Sequence, residues 1–354
     1  MFKGLKVATL VVAGALALAA CGSSSSSSST PAASSGSASS TASSCTPSDV
    51  KVGMAYDIGG RGDKSFNDSA AAGLDQAVKE LCVTSKELSA VPNETDAQKA
   101  ARLTLLAQGG YNPIIAVGFA YAPALKLVAP KYPKVNFAIV DDSSYTAANV
   151  ANLTFAANQA SYLVGVIAAQ ATKTKSVGYI GGVNVPLLKS FQKGFDAGVT
   201  ATDSAVKITD KYLTQPPDFS GFNAPDKGKA TAAGMFDAGA DVVYAAAGGS
   251  GGGVFVAAKA AGTWAIGVDS DQYLSADAAV QSVILTSALK NVNVAVFQVI
   301  NASVKGSPLT GVQVYDLSNK GVGYSTSNPA VQPYTAKADE AAAAIIAGTV
   351  KVPN

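Results

Sequence analysis

The sequence predicts an α/β protein of two lobes, each a doubly wound parallel sheet, joined by a hinge of several strands. Three observations carry this. Between Lys51 and Val304 short apolar runs alternate with Ala-rich stretches of helical spacing, the signature of successive right-handed βαβ units. The segment from about Thr46 to Asn354 is longer than one hydrophobic core supports, so it divides. After the first strand units end at Asp141, a linking strand, Asn149 to Phe155, leads into a second series, and later segments turn back.

In chain order, Lys3 and Lys6 precede an apolar run from Val7 to Ala20, too short to span a bilayer and suited to a signal-peptide core. Leu18-Ala19-Ala20-Cys21-Gly22 resembles a bacterial lipobox, which makes Cys21 the lipidated first residue of the mature chain. The competing reading is an ordinary signal peptide or an anchor helix. Residues 22–44 are almost entirely Ser, Ala, Gly, Thr and Pro and cannot bury apolar surface, so they form a flexible tether. The expected division is 1–20 signal peptide, 21–45 lipidated Cys and tether, 46–155 with 272–308 first lobe, and 156–271 with 309–354 second lobe.

Expected strands are Lys51 to Tyr56, Val83 to Leu88, Pro113 to Gly118, Val135 to Val140, Ser176 to Gly181, Val206 to Tyr212, Asp241 to Ala246, Thr263 to Val268 and Val283 to Ser287. Helices fall between them, and the chain is expected to return to the first lobe near Asn291 and to the second near Leu309. Lobes joined by several strands can close over a ligand.

Charge and composition exclude several functions. Of 26 basic residues, Lys3 and Lys6 leave with the leader, and the rest balance 24 acidic residues. A neutral mature chain argues against a nucleic-acid surface and against membrane contact other than a lipid anchor. With no histidine and no CxxC, there is no His-activated nucleophile and no His-ligated metal; neither cofactor nor metal is expected. Cys45 before the first strand and Cys82 after the first helix fall on one edge of the sheet, opposite the ligand loops. In an oxidising compartment they can form a disulfide or remain two thiols.

The loop from Asp57 to Asn67, DIGGRGDKSFN, links the first strand to the first helix and carries a carboxylate, flexible glycines, an aromatic ring and an amide. Together with NFAIVD at 136–141, FQKGF at 191–195, AGGSGGGV at 247–254, GVDSDQ at 267–272 and LTSALK at 285–290, it resembles the basic membrane protein family, the PnrA-like nucleoside-binding lipoproteins of ABC transporters. The resemblance implies a type I periplasmic-binding-protein fold and a non-enzymatic, exported, monomeric receptor. This receptor is lipid-anchored on the outer face of the cytoplasmic membrane. It captures a nucleoside, purine first, for a permease and its ATPase.

Carried over by position, Phe66 and Phe191 stack on the base, with Phe195 an alternative to Phe191. Asn67 and Asp57 address the base edge, Asn67 being open also to a helix N-cap role. Asp141, Asp269 and Lys290 take the ribose hydroxyls, with an interlobe salt bridge the competing use and Asp142 the competing carboxylate. Gly248 offers backbone for close approach of the sugar. The glycine run Gly248 to Gly253 also resembles a dinucleotide loop but lacks the GxGxxG spacing. Alternatives are a sugar or purine-base receptor of the same fold, a surface sensor or adhesin uncoupled from transport, and, third, a nucleoside hydrolase. Arg61-Gly62-Asp63 spells an adhesion tripeptide, a chance match in such a loop.

Overall fold

The computed structural model describes residues 45–91 and 93–354; Cys21 and the tether, residues 22–44, fall outside the described residues. The first lobe begins with β1 (Lys51–Ala55), α1 (Phe66–Leu81), β2 (Thr84–Leu88), α2 (Asp96–Gln108), β3 (Ile114–Ala116), α3 (Ala122–Val128), β4 (Phe137–Val140) and β5 (Val150–Phe155). The second follows with α4 (Ala157–Ala171), β6 (Ser176–Val183), α5 (Pro186–Thr202), β7 (Lys207–Thr214), α6 (Pro225–Asp237), β8 (Val242–Ala246), α7 (Gly251–Ala261) and β9 (Trp264–Asp269). It ends with α8 (Gln272–Ser275), α9 (Ala278–Gln281) and β10 (Ile284–Lys290). The tail comprises α10 (Val292–Val304), β11 (Gly311–Tyr315), β12 (Val322–Tyr324) and α11 (Thr335–Ile346).

Two six-stranded sheets result, ordered β11-β5-β4-β3-β1-β2 and β12-β10-β9-β8-β6-β7. Every pairing is parallel except that of β10 with β12. The central strands are buried on both faces, which is why they read as continuous apolar runs rather than alternating ones. α1 and α10 cover the first sheet, with Leu74, Val292 and Val296 in one core. α4, α5 and α11 cover the second. α4 and α5 approach so closely that a methyl on Gly198 would lie 2.1 Å from the Tyr162 carbonyl oxygen. α2 starts where the sequence signals it: Thr95 accepts from the Gln98 amide nitrogen at 3.3 Å while the Gln98 side chain accepts from Thr95 N at 2.8 Å, a capping box.

Two strands exchange lobes relative to expectation. Ile284–Lys290, expected in the first lobe, is an interior strand of the second sheet beside β9. Gly311–Tyr315, expected in the second lobe, pairs with β5 at the edge of the first sheet. The apolar pattern of a strand specifies burial but not which sheet provides it, and the buried Ile284 and Leu285 fill the second core. The antiparallel β12 has no counterpart in the expected strands. The chain therefore passes between the sheets three times, at 155–157, 290–292 and 315–322. The crossings are knitted together: Ala156 N donates to the Tyr315 carbonyl at 2.8 Å, Asn291 N to that of Gly321 at 2.9 Å, and Phe155 stacks on Tyr315 with centroids 4.9 Å apart.

Cys45 and Cys82 form a disulfide, enclosing β1, the loop after it and α1 in one covalent ring. Among the described residues no helix is long and apolar enough to cross a membrane.

Candidate functional site

The carboxyl ends of the parallel strands of both sheets face one another across a cavity, and Asp57, Phe66, Asn67, Asp141, Phe191, Gly248, Asp269 and Lys290 all line it. Asp57 follows β1, Asp141 follows β4, Asp269 ends β9 and Lys290 ends β10. β4 and β9 hold matching places in their sheets. Both aspartates adopt left-handed backbone, φ 65° at Asp141 and 64° at Asp269, a conformation unusual for non-glycine residues that turns each carboxylate inward.

These carboxylates meet Lys290 at the centre. Its Nζ lies 2.6 Å from Asp141 Oδ2 and 3.2 Å from Asp269 Oδ1, and the Lys290 and Asp141 side chains are 4% and 3% exposed. The second contact is an ion pair without hydrogen-bond alignment, so Asp141 Oδ1 and Asp269 Oδ1 are buried acceptors lacking a hydrogen-bond donor. Burial alone lowers the affinity of the Lys290 amine for its proton, but the two carboxylates outweigh it and hold the ammonium above its ordinary range. The ammonium also lies 4.4 Å from the Phe66 ring centroid and 5.4 Å from that of Phe191. Asp141 belongs to the first lobe and Lys290 to the second, so the interlobe salt bridge is present alongside the unfilled acceptors.

The loop after β1 is held from within. Asp63 accepts from the backbone nitrogens of Ser65 (2.9 Å), Asn67 (2.8 Å) and Asp68 (3.1 Å), and so caps α1. Asn67 does not act as the N-cap. Its Oδ1 accepts from Asp57 N at 3.1 Å, and its Nδ2 donates to Ile58 O at 3.2 Å and Asp63 Oδ2 at 2.9 Å. Both amide hydrogens are spent, leaving one Oδ1 lone pair for a ligand. Asp57 Oδ1 accepts from Ile58 N at 2.8 Å, and burial pushes this carboxyl up to about 6. A methyl on Gly118, φ 106°, would lie 2.4 Å from Asp57 Oδ2, so only glycine lets this carboxylate sit there.

The adhesion tripeptide is not available to a partner. Asp63 is 8% exposed and occupied as the helix cap. The Arg61 guanidinium is clamped by Asp75 at 2.7 and 2.9 Å and by Glu87 at 2.6 and 3.1 Å.

The cavity wall takes one member of each alternative pair. Phe191 lines the cavity, whereas Phe195 is fully buried against Tyr179 and Tyr244. Asp142 turns away to accept from Ser144 N and Oγ, at 2.9 and 2.8 Å. Sequence reasoning missed Phe119, Phe222 and Asp63 as lining residues. Phe119 and Phe222 lie in single 3-10 turns, where no periodicity marks them. Asp63 was legible as an Asp three residues before Phe66, where the helix opens.

The sequence profile described as ABC transporter substrate-binding protein, PnrA-like, matches residues 50–354. The chain is 34% identical over 327 residues to the ABC transporter nucleoside-binding protein BmpA of Lactococcus lactis subsp. cremoris, covering 87% of this chain and 90% of that one. It is 33% identical over 362 residues to the CD4+ T-cell-stimulating antigen of Listeria innocua, covering 98% and 97%. Among solved structures, an ABC transporter solute-binding protein from Aeropyrum pernix superposes with TM-score 0.75 at 28% identity, over 86% of this chain and 94% of that chain.

Proposed function

The chain belongs to the PnrA-like family of ABC transporter substrate-binding proteins, and from that premise we propose that its own ligand is a nucleoside, purine first, which it delivers to a membrane permease. The observation that carries this reading is the pair of buried, donor-lacking oxygens on Asp141 and Asp269, set either side of Lys290 and close to Phe66. Two adjacent hydroxyls supply the donors that those carboxylates lack, and the lysine compensates the charge while donating to the sugar oxygens. A flat base is then positioned over Phe66, with Asp57 and the remaining Asn67 lone pair toward its edge. Stacking contributes roughly 1 to 3 kcal/mol per base. Only the closed arrangement touches the ligand from both lobes, so binding favours closure, and closure is the state a permease can recognise.

Calorimetric titration with inosine, guanosine, adenosine, uridine and free ribose tests the reading. We expect at least one nucleoside to bind far more tightly than ribose. Failure of every nucleoside beside micromolar binding of a sugar would overturn it. Anchoring at Cys21 belongs to the same proposal; fatty-acid labelling of the wild type that persists in Cys21→Ala would count against it.

A further inference from the structure

We propose that the ligand cavity continues past Asp57 into a second compartment that receives a substituent on the base ending in a carboxylate or carbonyl, with the Lys99 ammonium as its partner. The inference rests on the reading above, in which the base edge faces Asp57. This second cavity, of about 430 Å³, shares Asp57 and Ile58 with the first and is walled on the far-lobe side by Pro217 and Phe219. Its size falls in the range of small-molecule sites, so it holds more than stray water.

Lys99, on α2, is the cation on its wall. The residue is 8% exposed, yet its ammonium makes no hydrogen bond among the described residues. Its ion-pair partner is Asp96 at 3.7 Å, one turn away on the same helix, with a side chain 57% exposed. Such a contact is weak and solvent-screened.

Of the carboxylates lining the compartment, Glu94 and Asp218 are engaged elsewhere, while Asp57 feels the charge of Lys99 without a hydrogen bond to it. Glu94 is bound by Arg102, which also donates to the Tyr121 hydroxyl at 2.6 Å. Asp218 accepts from Ser220 N at 2.8 Å and faces Lys227 at 3.7 Å. Asp57 stands at the partition between the two cavities. A cation without a hydrogen-bond acceptor, on the wall of a chamber lined half by polar and half by apolar residues, suits an anionic or carbonyl oxygen carried on a short chain. The exocyclic amine of a nucleobase, set at the Asp57 edge, is where such a chain would start. The ligand class is therefore base-modified nucleosides bearing an acyl or carboxyalkyl group on that amine.

The test titrates wild type, Lys99→Met and Lys99→Arg with adenosine, guanosine and cytidine and with the derivative of each carrying a short carboxyalkyl chain on its exocyclic amine. At least one derivative is expected to bind wild type as tightly as its parent or more so. Lys99→Met should weaken that derivative about tenfold, the equivalent of one charge-assisted hydrogen bond, while leaving the parent within about twofold. Lys99→Arg should retain most of the affinity. Derivatives binding wild type tenfold more weakly than their parents overturn the compartment, as does a Lys99→Met variant that weakens parent and derivative equally. If no parent nucleoside binds any of the three proteins, the nucleoside reading fails and this one with it, an outcome distinct from losing the derivative alone.

Discussion

At the scale of single residues, Phe66 and Phe191 sit differently on the cavity wall. Phe66 is half-buried at the first position of α1, with its ring turned toward Lys290, whereas Phe191 is 3% exposed within α5. Phe66→Ala should remove most of the nucleoside response in calorimetry with little change in unfolding midpoint, because a half-buried ring contributes little to the core. Phe191→Ala and Phe222→Ala, compared in the same assay, identify the opposing plate by which one loses affinity more than stability. Asp57 carries a pH prediction. Its folded-state value of about 6 lies above the ordinary 3.8, so between about pH 4 and 6 the folded protein holds a proton that the unfolded chain has released. The contribution of Asp57 to stability therefore falls as pH rises through that window and is flat above it. Urea midpoints measured from pH 4 to 7 should show this slope, and Asp57→Asn should remove Asp57's part of it. An unchanged slope in the variant would place the proton elsewhere.

At the scale of elements, the unit that matters is β1, its loop and α1. Cys45 and Cys82, 37 residues apart, close it covalently, so the strand that leads to Asp57 and the helix that begins at Phe66 stay within one closed loop even when the chain unfolds. By loop-closure entropy a ring of this size stabilises by about 4 kcal/mol. The double variant Cys45→Ser/Cys82→Ser should lose a comparable amount in denaturant titration, and a loss below about 1 kcal/mol would show that the ring is not entropically important. The boundaries of this unit were legible in the sequence because an apolar run, a Gly-rich turn and an Ala-rich helical stretch follow one another without ambiguity. Its internal wiring was not. Asn67 reads equally well as a cap or as a ligand amide, and only the placement of Asp63 beneath it assigns the cap to Asp63 and commits both Asn67 hydrogens.

At the scale of the whole molecule, the lobes meet through few but specific groups. Ser65 Oγ donates to Val268 O at 3.1 Å, Ser270 Oγ donates back to Ser65 O at 2.7 Å, Lys64 pairs with Asp277 at 2.6 Å, and Lys290 reaches Asp141. The last is the buried ion pair among them, so it is the contact most sensitive to loss. In Lys290→Met, Asp141 and Asp269 lose their buried counter-charge, a cost of about 3–5 kcal/mol in a closed interior. Opening the lobes admits water and relieves that cost without unfolding. Small-angle scattering of ligand-free Lys290→Met should give a larger radius of gyration than wild type, and a variant as compact as wild type would show that the charge pair does not hold the lobes together. The sequence by itself determined the α/β architecture, the existence of two sheets, the loop that opens the site and the residue types gathered there. Those follow from local periodicity, turn chemistry and motif. Tertiary structure alone decided that Ile284–Lys290 belongs to the second sheet and Gly311–Tyr315 to the first, that Asp141 rather than Asp142 and Phe191 rather than Phe195 face the cavity, and that Phe119 and Phe222 join them. The physical reason is common to all of these. An apolar strand is satisfied by either core, and neighbouring residues differ in direction only once the backbone at a strand end, here left-handed at Asp141 and Asp269, has been fixed by long-range packing.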